Sequence, residues 1–317
     1  MIAPNHTRNK TLTITDDERN TLRNKLLTPT DNLLEIQQIL DKTICCDLFE
    51  ILDKLPASFV DLLIIDPPYN LNKSFNGNKF SKMDDDEYLQ YLESWFPKLL
   101  DVMKPIGSIY LCGDWTSTYA IYQVMCKYTK IRNRIIWQRE KGRGAKANWK
   151  NACEDIWFGT MSNDYYFNVE AVKMKRQVIA PYRINGEPKD WEETDNGKFR
   201  LTYPSNFWDD ISIPYWSMPE NTAHPTQKPE KLIAKLILAS CPADGVVLDP
   251  FLGSGTTSVV AKKLGRRYIG IEMDEEYCCW AEKRLRQADN SNIIQGFSDG
   301  VFWERNTANL QMKNKNK

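Results

Sequence analysis

Hydrophobic positions recur along the chain in two registers, and their alternation predicts the architecture. Residues 59–66, FVDLLIID, form an apolar run too short for a helix and closed by turn residues, which predicts a strand buried on both faces. Residues 85–103 follow with apolar positions three to four apart, which predicts a helix. The pattern then gives a strand over 107–113, a helix over 116–128 and a strand over 131–138. After a long irregular stretch it returns, with a helix after the proline turn in 224–241 and a strand, glycine turn and helix over 245–265. One more strand and helix fill 266–288. Strands alternating with helices predict an α/β fold, a mostly parallel sheet with helices on both faces.

The pattern breaks down from about Arg139 to Thr222, which is polar and aromatic and contains Pro181, Pro188, Pro204, Pro214 and Pro219. An irregular insertion of that length within an α/β core points to function, and its tryptophans and tyrosines point to a folded segment. The expected division is an N-terminal arm or helix over 1–40, a first core half over 41–160 and an inserted region over 161–222. A second core half over 223–290 and a tail over 291–317 complete it.

Composition narrows the class. With 317 residues, 42% of them hydrophobic, the chain can build a sizeable core and is not disordered. No segment approaches the roughly 18 apolar residues of a membrane span, and the first residues lack a signal-peptide core, so a soluble, cytoplasmic protein with no membrane partner is expected. Lys plus Arg and Asp plus Glu are both 42, so binding to nucleic acid has to rest on local patches. Of the eight cysteines none forms a C-x-x-C pair, and the histidines are His6 and His224 alone. No metal site is expected, and the thiols read as reduced and mostly buried.

Two motifs carry chemistry. In VLDPFLGSGTT, 247–257, a strand runs through glycines 253 and 255 into a helix, a turn that presents backbone N–H groups to a ligand. It lacks the lysine of a phosphate loop and the third glycine of a dinucleotide fingerprint. Glu272 ends the next strand, 19 residues beyond Gly253, where an acid can accept hydrogen bonds from both hydroxyls of a ribose. Together these point to a nucleoside-bearing cofactor. In LLIIDPPYNLN, 62–72, Asp66 closes a buried strand at the sheet edge where α/β proteins bind ligands. Pro67 and Pro68 fix the turn and donate no N–H. The Asp66 carboxylate, the Pro67 carbonyl and the Tyr69 ring form a set suited to gripping an exocyclic amine while a planar base stacks on the ring. A turn with an incidental tyrosine is the bland alternative.

DPPYN, DPFLGSGTT, GIEMDEEYC and HPTQKP resemble the S-adenosylmethionine-dependent DNA amino-methyltransferases. Catalytic motif first and cofactor motif second is similar to their β group, a circularly permuted Rossmann-like fold, and the likeness spans about 44–288. The resemblance implies that Asp66, Pro67, Pro68 and Tyr69 are catalytic. It implies a cofactor site of Asp47, Asp66, Thr226, Lys228, Asp249, Phe251, Gly253, Ser254, Gly255, Thr256 and Glu272. Asp47 would face the adenine and Glu272 the ribose hydroxyls. Asp249 and the loop 251–256 would line the methionine and ribose region, with Thr226 and Lys228 closing over the methionine end. His224 starts that segment and is not expected to act as a base. Without the resemblance, Asp47 reads as a helix N-cap. Trp137 falls where relatives place a residue against the target base, with core packing as the equal alternative.

The activity the resemblance implies is site-specific transfer of a methyl group to adenine N6 in double-stranded DNA by base flipping. Asp at position 66 favours adenine over cytosine N4. A non-catalytic binding module is the rival from another class, and RNA or protein amines are disfavoured because such relatives carry Asn there. DNA phosphates are expected to meet Arg139, Lys141, Arg143, Lys146 and Lys150, with Lys173, Lys175 and Arg176 as a second knot. Arg183, Asn185, Lys189 and Asn206, in the region where the β group carries target recognition, are candidate base readers. The loop 71–82 is expected to close over the flipped base. The resemblance alone points to a homodimer, and either to a restriction endonuclease sharing the target site, in a restriction-modification system, or to a solitary counterpart without one.

Overall fold

A computed structural model describes residues 9–305 and 307, except 30, 76–77, 140–144, 147 and 195–196, and except the side chains of 74–75 and 78–79. An eight-stranded sheet has the order Lys42–Cys45, Arg267–Glu272, Val246–Asp249, Val60–Ile65, Met103–Gly113, Cys153–Thr160, Lys130–Gln138 and Phe207–Trp208. Every pairing is parallel except those of Cys153–Thr160, which runs antiparallel to both neighbours.

The run expected to be buried on both faces is so. All of Val60–Ile65 is buried. Leu62 and Ile64 pack with Leu232, Ile233, Val259 and Val260, from helices Glu230–Ser240 and Thr256–Lys263. Leu63 and Ile65 pack on the other face with Tyr88, Leu92, Trp95 and Ile121, from helices Asp85–Leu100 and Thr118–Tyr128. The period-two alternation of a strand is what divides the core into these two layers. Asp85–Leu100 starts where Asp84 accepts from the Glu87 N–H at 2.8 Å and Glu87 returns the contact at 3.1 Å, a capping box.

Hydropathy missed three strands of this sheet, Lys42–Cys45, Phe207–Trp208 and the longest of them, Cys153–Thr160. Cys153–Thr160 lies inside the stretch that looked irregular, because its opening Glu154 and Asp155 are polar yet buried, and apolar character begins only at Ile156. The expected tail is also partly structured. Val301–Trp303 pairs with Met174–Gln177 and with Phe297–Ser298, completing a five-stranded second sheet with Gly197–Thr202 and Glu192–Thr194. Phe302 and Trp303, buried against the core, hold this end in place. Asp210 pairs with Lys231 at 2.6 Å and Lys235 at 3.0 Å, and Lys231 also donates to the Trp303 carbonyl, which ties the second sheet to the Glu230–Ser240 helix.

The N-terminal segment is folded against the core. Helix Asp16–Arg23 carries a Thr15–Glu18 capping box, and Lys283 of helix Glu275–Ala288 donates to Glu18 at 2.7 Å. Leu12 and Ile14 pack on Tyr277 and Trp280. Exposed ion pairs contribute only about 0–1 kcal/mol, so the apolar contact is the larger tie.

Candidate active site

A cavity of about 490 Å³ opens at the carboxyl ends of the parallel strands, where chain order reverses around Val246–Asp249 and Val60–Ile65. It is lined by Asp66, Pro67, Pro68 and Tyr69 from one motif, Phe251, Gly253 and Glu272 from the other, and Asp47, Thr226, Lys228 and Arg139 from three further segments. Residues scattered over more than 220 positions thus share one site. Asp249, Ser254 and Thr256 line a separate void of about 30 Å³ behind it, and Gly255 borders neither.

Asp66 is not an open pair of acceptors. The Tyr69 hydroxyl donates to its Oδ1 at 2.9 Å and Lys228 Nζ donates to its Oδ2 at 2.6 Å. Lys228 reaches into this acidic corner, where two carboxylates compensate its burial. Burial opposes its charged form, yet Asp66 and Glu154 hold the ammonium above the ordinary lysine range. Burial first, and the neighbouring carboxylates second, push the Tyr69 phenol well above its usual range, so it stays a donor. The ring is half-buried and packs on the apolar layer beneath Ile64. Sequence reasoning missed Glu154, which lies 3.1 Å from the Tyr69 hydroxyl, 3.3 Å from Lys228 Nζ and 3.0 Å from Arg139. Its only signal was a charged pair followed by an apolar run.

Three amides of the glycine turn are bonded within the protein. Gly253 N–H donates to Glu272 Oε2 at 2.8 Å, Gly255 N–H to the Leu252 carbonyl and Phe251 N–H to Asp249 Oδ1. Two of these bonds close within the turn, and the third reaches Glu272 at the end of the next strand. Glu272 Oε1 accepts from the Asp274 N–H at 2.8 Å, so the acid braces the turn and keeps only its remaining lone pairs for a ligand. Its carboxyl is raised, burial first among the causes. Asp249 braces the turn, accepting from the Thr257 hydroxyl at 2.5 Å, and burial raises it to about 7. Gly253 and Gly255 sit at φ +54° and +88°, the left-handed region.

Asp47 is a helix N-cap at the edge of the cavity. It caps the short helix Leu48–Ile51, accepting from the Phe49 N–H at 2.9 Å, and lines the cavity. Trp137 is core packing: it is buried, and its indole N–H donates to the Ile211 carbonyl at 3.1 Å, which takes it away from a target base. Lys141 and Arg143 lie outside the described residues. Lys146 and Lys150 are exposed, whereas Arg139 is turned into the site by Glu154. In the second knot Lys173 pairs with Glu170, and Lys175 lies over the Phe199 and Trp303 rings. Asn185 and Gly186, both at positive φ, make the turn of a two-stranded hairpin, and Asn206 is bonded to Asn133 and Arg134 along the sheet edge. The loop 71–82 is described only in part; Leu71 and Lys73 line the cavity. Among the described residues no group of three His, Cys, Asp or Glu is arranged to hold a metal, and no helix is long and apolar enough to cross a membrane. All eight cysteines are free; five are buried, while Cys126 and Cys153 are exposed.

His224 packs edge-on against Tyr277 with ring centroids 4.5 Å apart, and burial, then Lys228, lowers its pKa to about 3. It is neutral in the folded protein. The unfolded chain takes up this proton near pH 6.5, while the folded one resists until about pH 3. Its stability contribution is therefore complete above pH 6.5 and lost as pH falls through that window. Denaturation curves between pH 7 and 4 are expected to show a shallower acid loss in His224→Gln than in the wild type.

The family model described as DNA methylase matches residues 60–283. The chain belongs to the DNA methylase family. DNA adenine methyltransferase YhdJ of Escherichia coli (strain K12) is 33% identical over 273 residues, 83% of this methylase and 88% of that protein. Type II methyltransferase M.HinfI of Haemophilus influenzae is 32% identical over 280 residues, 82% and 72% of the two chains. Among solved structures, the M1.HpyAVI–SAM complex superposes with a TM-score of 0.53 at 22% identity, covering 77% of the methylase and 98% of that chain. The cytosine-N4-specific PvuII DNA methyltransferase gives 0.56 at 17% identity, covering 84% and 94%. At those identities the structures establish the fold, the Rossmann-like sheet of S-adenosylmethionine-dependent DNA methyltransferases.

Proposed function

We propose that the protein is a site-specific DNA methyltransferase that moves the methyl group of S-adenosylmethionine to the exocyclic N6 of adenine in double-stranded DNA. The observation that carries this is the meeting of Asp66 and Tyr69 with Glu272 and Asp47 around one cavity. The donor fits the residues present. The Phe251, Gly253 and Gly255 amides of the glycine turn are taken up within the protein, which suits a nucleoside cofactor without phosphates. The acids Asp47, Asp66 and Glu272 line the cavity together with apolar Leu48, Phe251 and Ile271. Glu272 and Asp47 would hold the ribose and adenine, and Phe251 would pack on the nucleoside.

When bound, S-adenosylmethionine supplies a methyl group already activated by a positive sulfur. The chain's work is then to extract, grip and orient the target amine. Flipping a base out of the duplex costs a few kcal/mol. Stacking on the Tyr69 ring returns roughly 1–3 kcal/mol. Asp66 and the Pro67 carbonyl accept the two amine N–H groups and turn the nitrogen lone pair out of conjugation with the base. Positioning of this kind, with fixed charges in a partly dry site, supplies most of the acceleration. No cysteine nucleophile takes part. Lys146, Lys150 and Arg183 would meet phosphates or base edges, and the inserted region 161–222 together with the strands near 297–303 would carry target recognition.

Cytosine N4 is the second reading, favoured by the likeness in fold to the cytosine-N4-specific PvuII enzyme. Adenine is preferred because YhdJ, a DNA adenine methyltransferase, is similar over most of both chains. The named type II relatives support a restriction-modification setting, in which a partner endonuclease would cut the same site; the homodimer rests on the resemblance alone. Transfer of labelled methyl groups from S-adenosylmethionine to DNA, and not to RNA or protein, is the test; label entering RNA or protein alone contradicts the reading. Glu272→Ala is expected to weaken cofactor binding by about tenfold or more, since the glycine turn also loses its acceptor. Calorimetric titration with S-adenosylmethionine checks this, and an unchanged affinity removes Glu272 from the site.

A further inference from the structure

The acidic corner of the cavity holds more charge than gripping one amine requires. Asp66, Lys228, Glu154 and Arg139 alternate in sign, and the Tyr69 hydroxyl lies among the first three. Glu154 side-chain exposure is 5% and that of Lys228 is 8%, so these are interior charges set by one another rather than by water. Arg139, at 3.0 Å from Oε1, fixes one oxygen of Glu154 and leaves the other, Oε2, for Lys228 at 3.3 Å and Tyr69 at 3.1 Å. The donors do not divide evenly. The Tyr69 hydroxyl has a single proton, so at any moment it serves either Asp66 Oδ1 or Glu154 Oε2. Lys228 has three N–H groups and can hold both carboxylates and the phenol oxygen together.

We propose that Glu154 is a positioning residue of the methyl transfer, the second carboxylate that receives Lys228 and the Tyr69 hydroxyl when Asp66 turns to the target amine. This rests on the amine-methylation reading above. As the structure stands, both Asp66 oxygens already accept from the protein, Lys228 at 2.6 Å and Tyr69 at 2.9 Å. A carboxylate so engaged is a weaker acceptor for an incoming N–H. Lys228 cannot simply withdraw, because it is buried and an unpaired ammonium there is strongly disfavoured. Glu154 removes that obstacle. Its oxygen lies within 3.3 Å of the same ammonium, so a shift of Nζ toward it releases Asp66 without stranding a charge. The phenol proton makes the same exchange between oxygens at 2.9 and 3.1 Å, which leaves the Tyr69 ring in place as the stacking face. No bond is made or broken in this step and no proton leaves its group; hydrogen-bond partners are traded.

A brace for the fold would use Glu154 differently. Its neighbour Asp155, pointing to the other side of the strand, shows what that looks like: it accepts from Thr118 at 2.6 Å and faces Arg134 at 3.8 Å, and neither partner lines the cavity. The side-chain partners of Glu154 among the described residues, Tyr69, Lys228 and Arg139, all line it.

The test compares full-length wild type, Glu154→Gln, Lys228→Met and the double variant. Each is assayed for labelled methyl transfer from S-adenosylmethionine into DNA, for cofactor affinity and for thermal midpoint. Glutamine keeps the shape and an acceptor oxygen but removes the charge. The proposal predicts that Glu154→Gln lowers kcat by about tenfold or more while its cofactor Kd and thermal midpoint stay near the wild-type values. The double variant is predicted to be no slower than Lys228→Met, because Glu154 acts through that lysine. An unchanged kcat in Glu154→Gln overturns the proposal. So does a double variant slowed by the product of the two single effects, or a kcat loss matched by a lowered midpoint, which marks a brace. A wild type that transfers no methyl group at all contradicts the functional reading itself, a result distinct from an active wild type with an equally active variant.

Discussion

Asp66→Ala is expected to lower methyl transfer by roughly 10²–10³-fold or more while S-adenosylmethionine still binds, since it removes a charged acceptor that matters most as the amine is reshaped. The proposed holds for the cofactor, Glu272, Asp47 and Phe251, belong to other segments of the cavity lining. The fold should also survive, because Lys228 keeps Glu154 as a partner and Tyr69 keeps its second acceptor. Single-turnover transfer together with calorimetric cofactor binding separates the two effects. Transfer at the wild-type rate would mean that the amine is gripped elsewhere; loss of cofactor binding would make Asp66 part of the donor site alone.

Gly255→Ala should be the most damaging small substitution in the core. At φ +88° any side chain is strained, and a Cβ would lie 2.5 Å from the Ala281 Cβ and 2.6 Å from its Cα, on the Glu275–Ala288 helix. Left-handed backbone costs about 1–2 kcal/mol for a non-glycine residue. Overpacking against a backbone that cannot yield adds about 1–3 kcal/mol. Gly265 is the internal comparison. Its φ is +69° and a Cβ there would meet nothing within 4 Å, so Gly265→Ala should show the conformational share alone. Urea denaturation of both variants checks this; equal losses would show that close approach to Ala281 does not limit the turn.

Much of this site was legible because its motifs are strand ends. A buried run stops at Asp66 and another at Glu272, and in a parallel sheet such ends must lie on one edge, which is why a linear reading placed both at one cavity. What stayed hidden was set by contacts between segments far apart in sequence. Lys228 looked like part of a closing segment, and only the fold brings it 2.6 Å from Asp66, 162 positions away. Glu154 was obscured because buried polar residues erase the hydropathy signature of the strand that carries them. The glycine turn shows a related limit: its sequence suggests amides offered to a ligand, and the sequence does not reveal that Glu272 and Asp249 take up two of them, those of Gly253 and Phe251. Val301–Trp303 escaped notice because three residues carry no period of their own, and their place is fixed by pairing with Met174–Gln177.

The basic segment after Arg139 shows the same limit for charge. Five cations within 139–150 read as one phosphate-binding cluster, yet Arg139 is committed to Glu154 at 3.0 Å. Which cations meet DNA depends on which carboxylates the fold has already placed beside them.

The central claim is that this cavity methylates an exocyclic amine of a DNA base, and that the base is adenine. Incubation of unmethylated DNA of diverse sequence with S-adenosylmethionine and the wild-type protein, followed by digestion to nucleosides and mass spectrometry, tests it most directly. The predicted product is N6-methyldeoxyadenosine, absent when Asp66→Ala replaces the wild type. N4-methyldeoxycytidine in its place would contradict the choice of base, and unmodified nucleosides from a protein shown to bind the cofactor would contradict the claim as a whole.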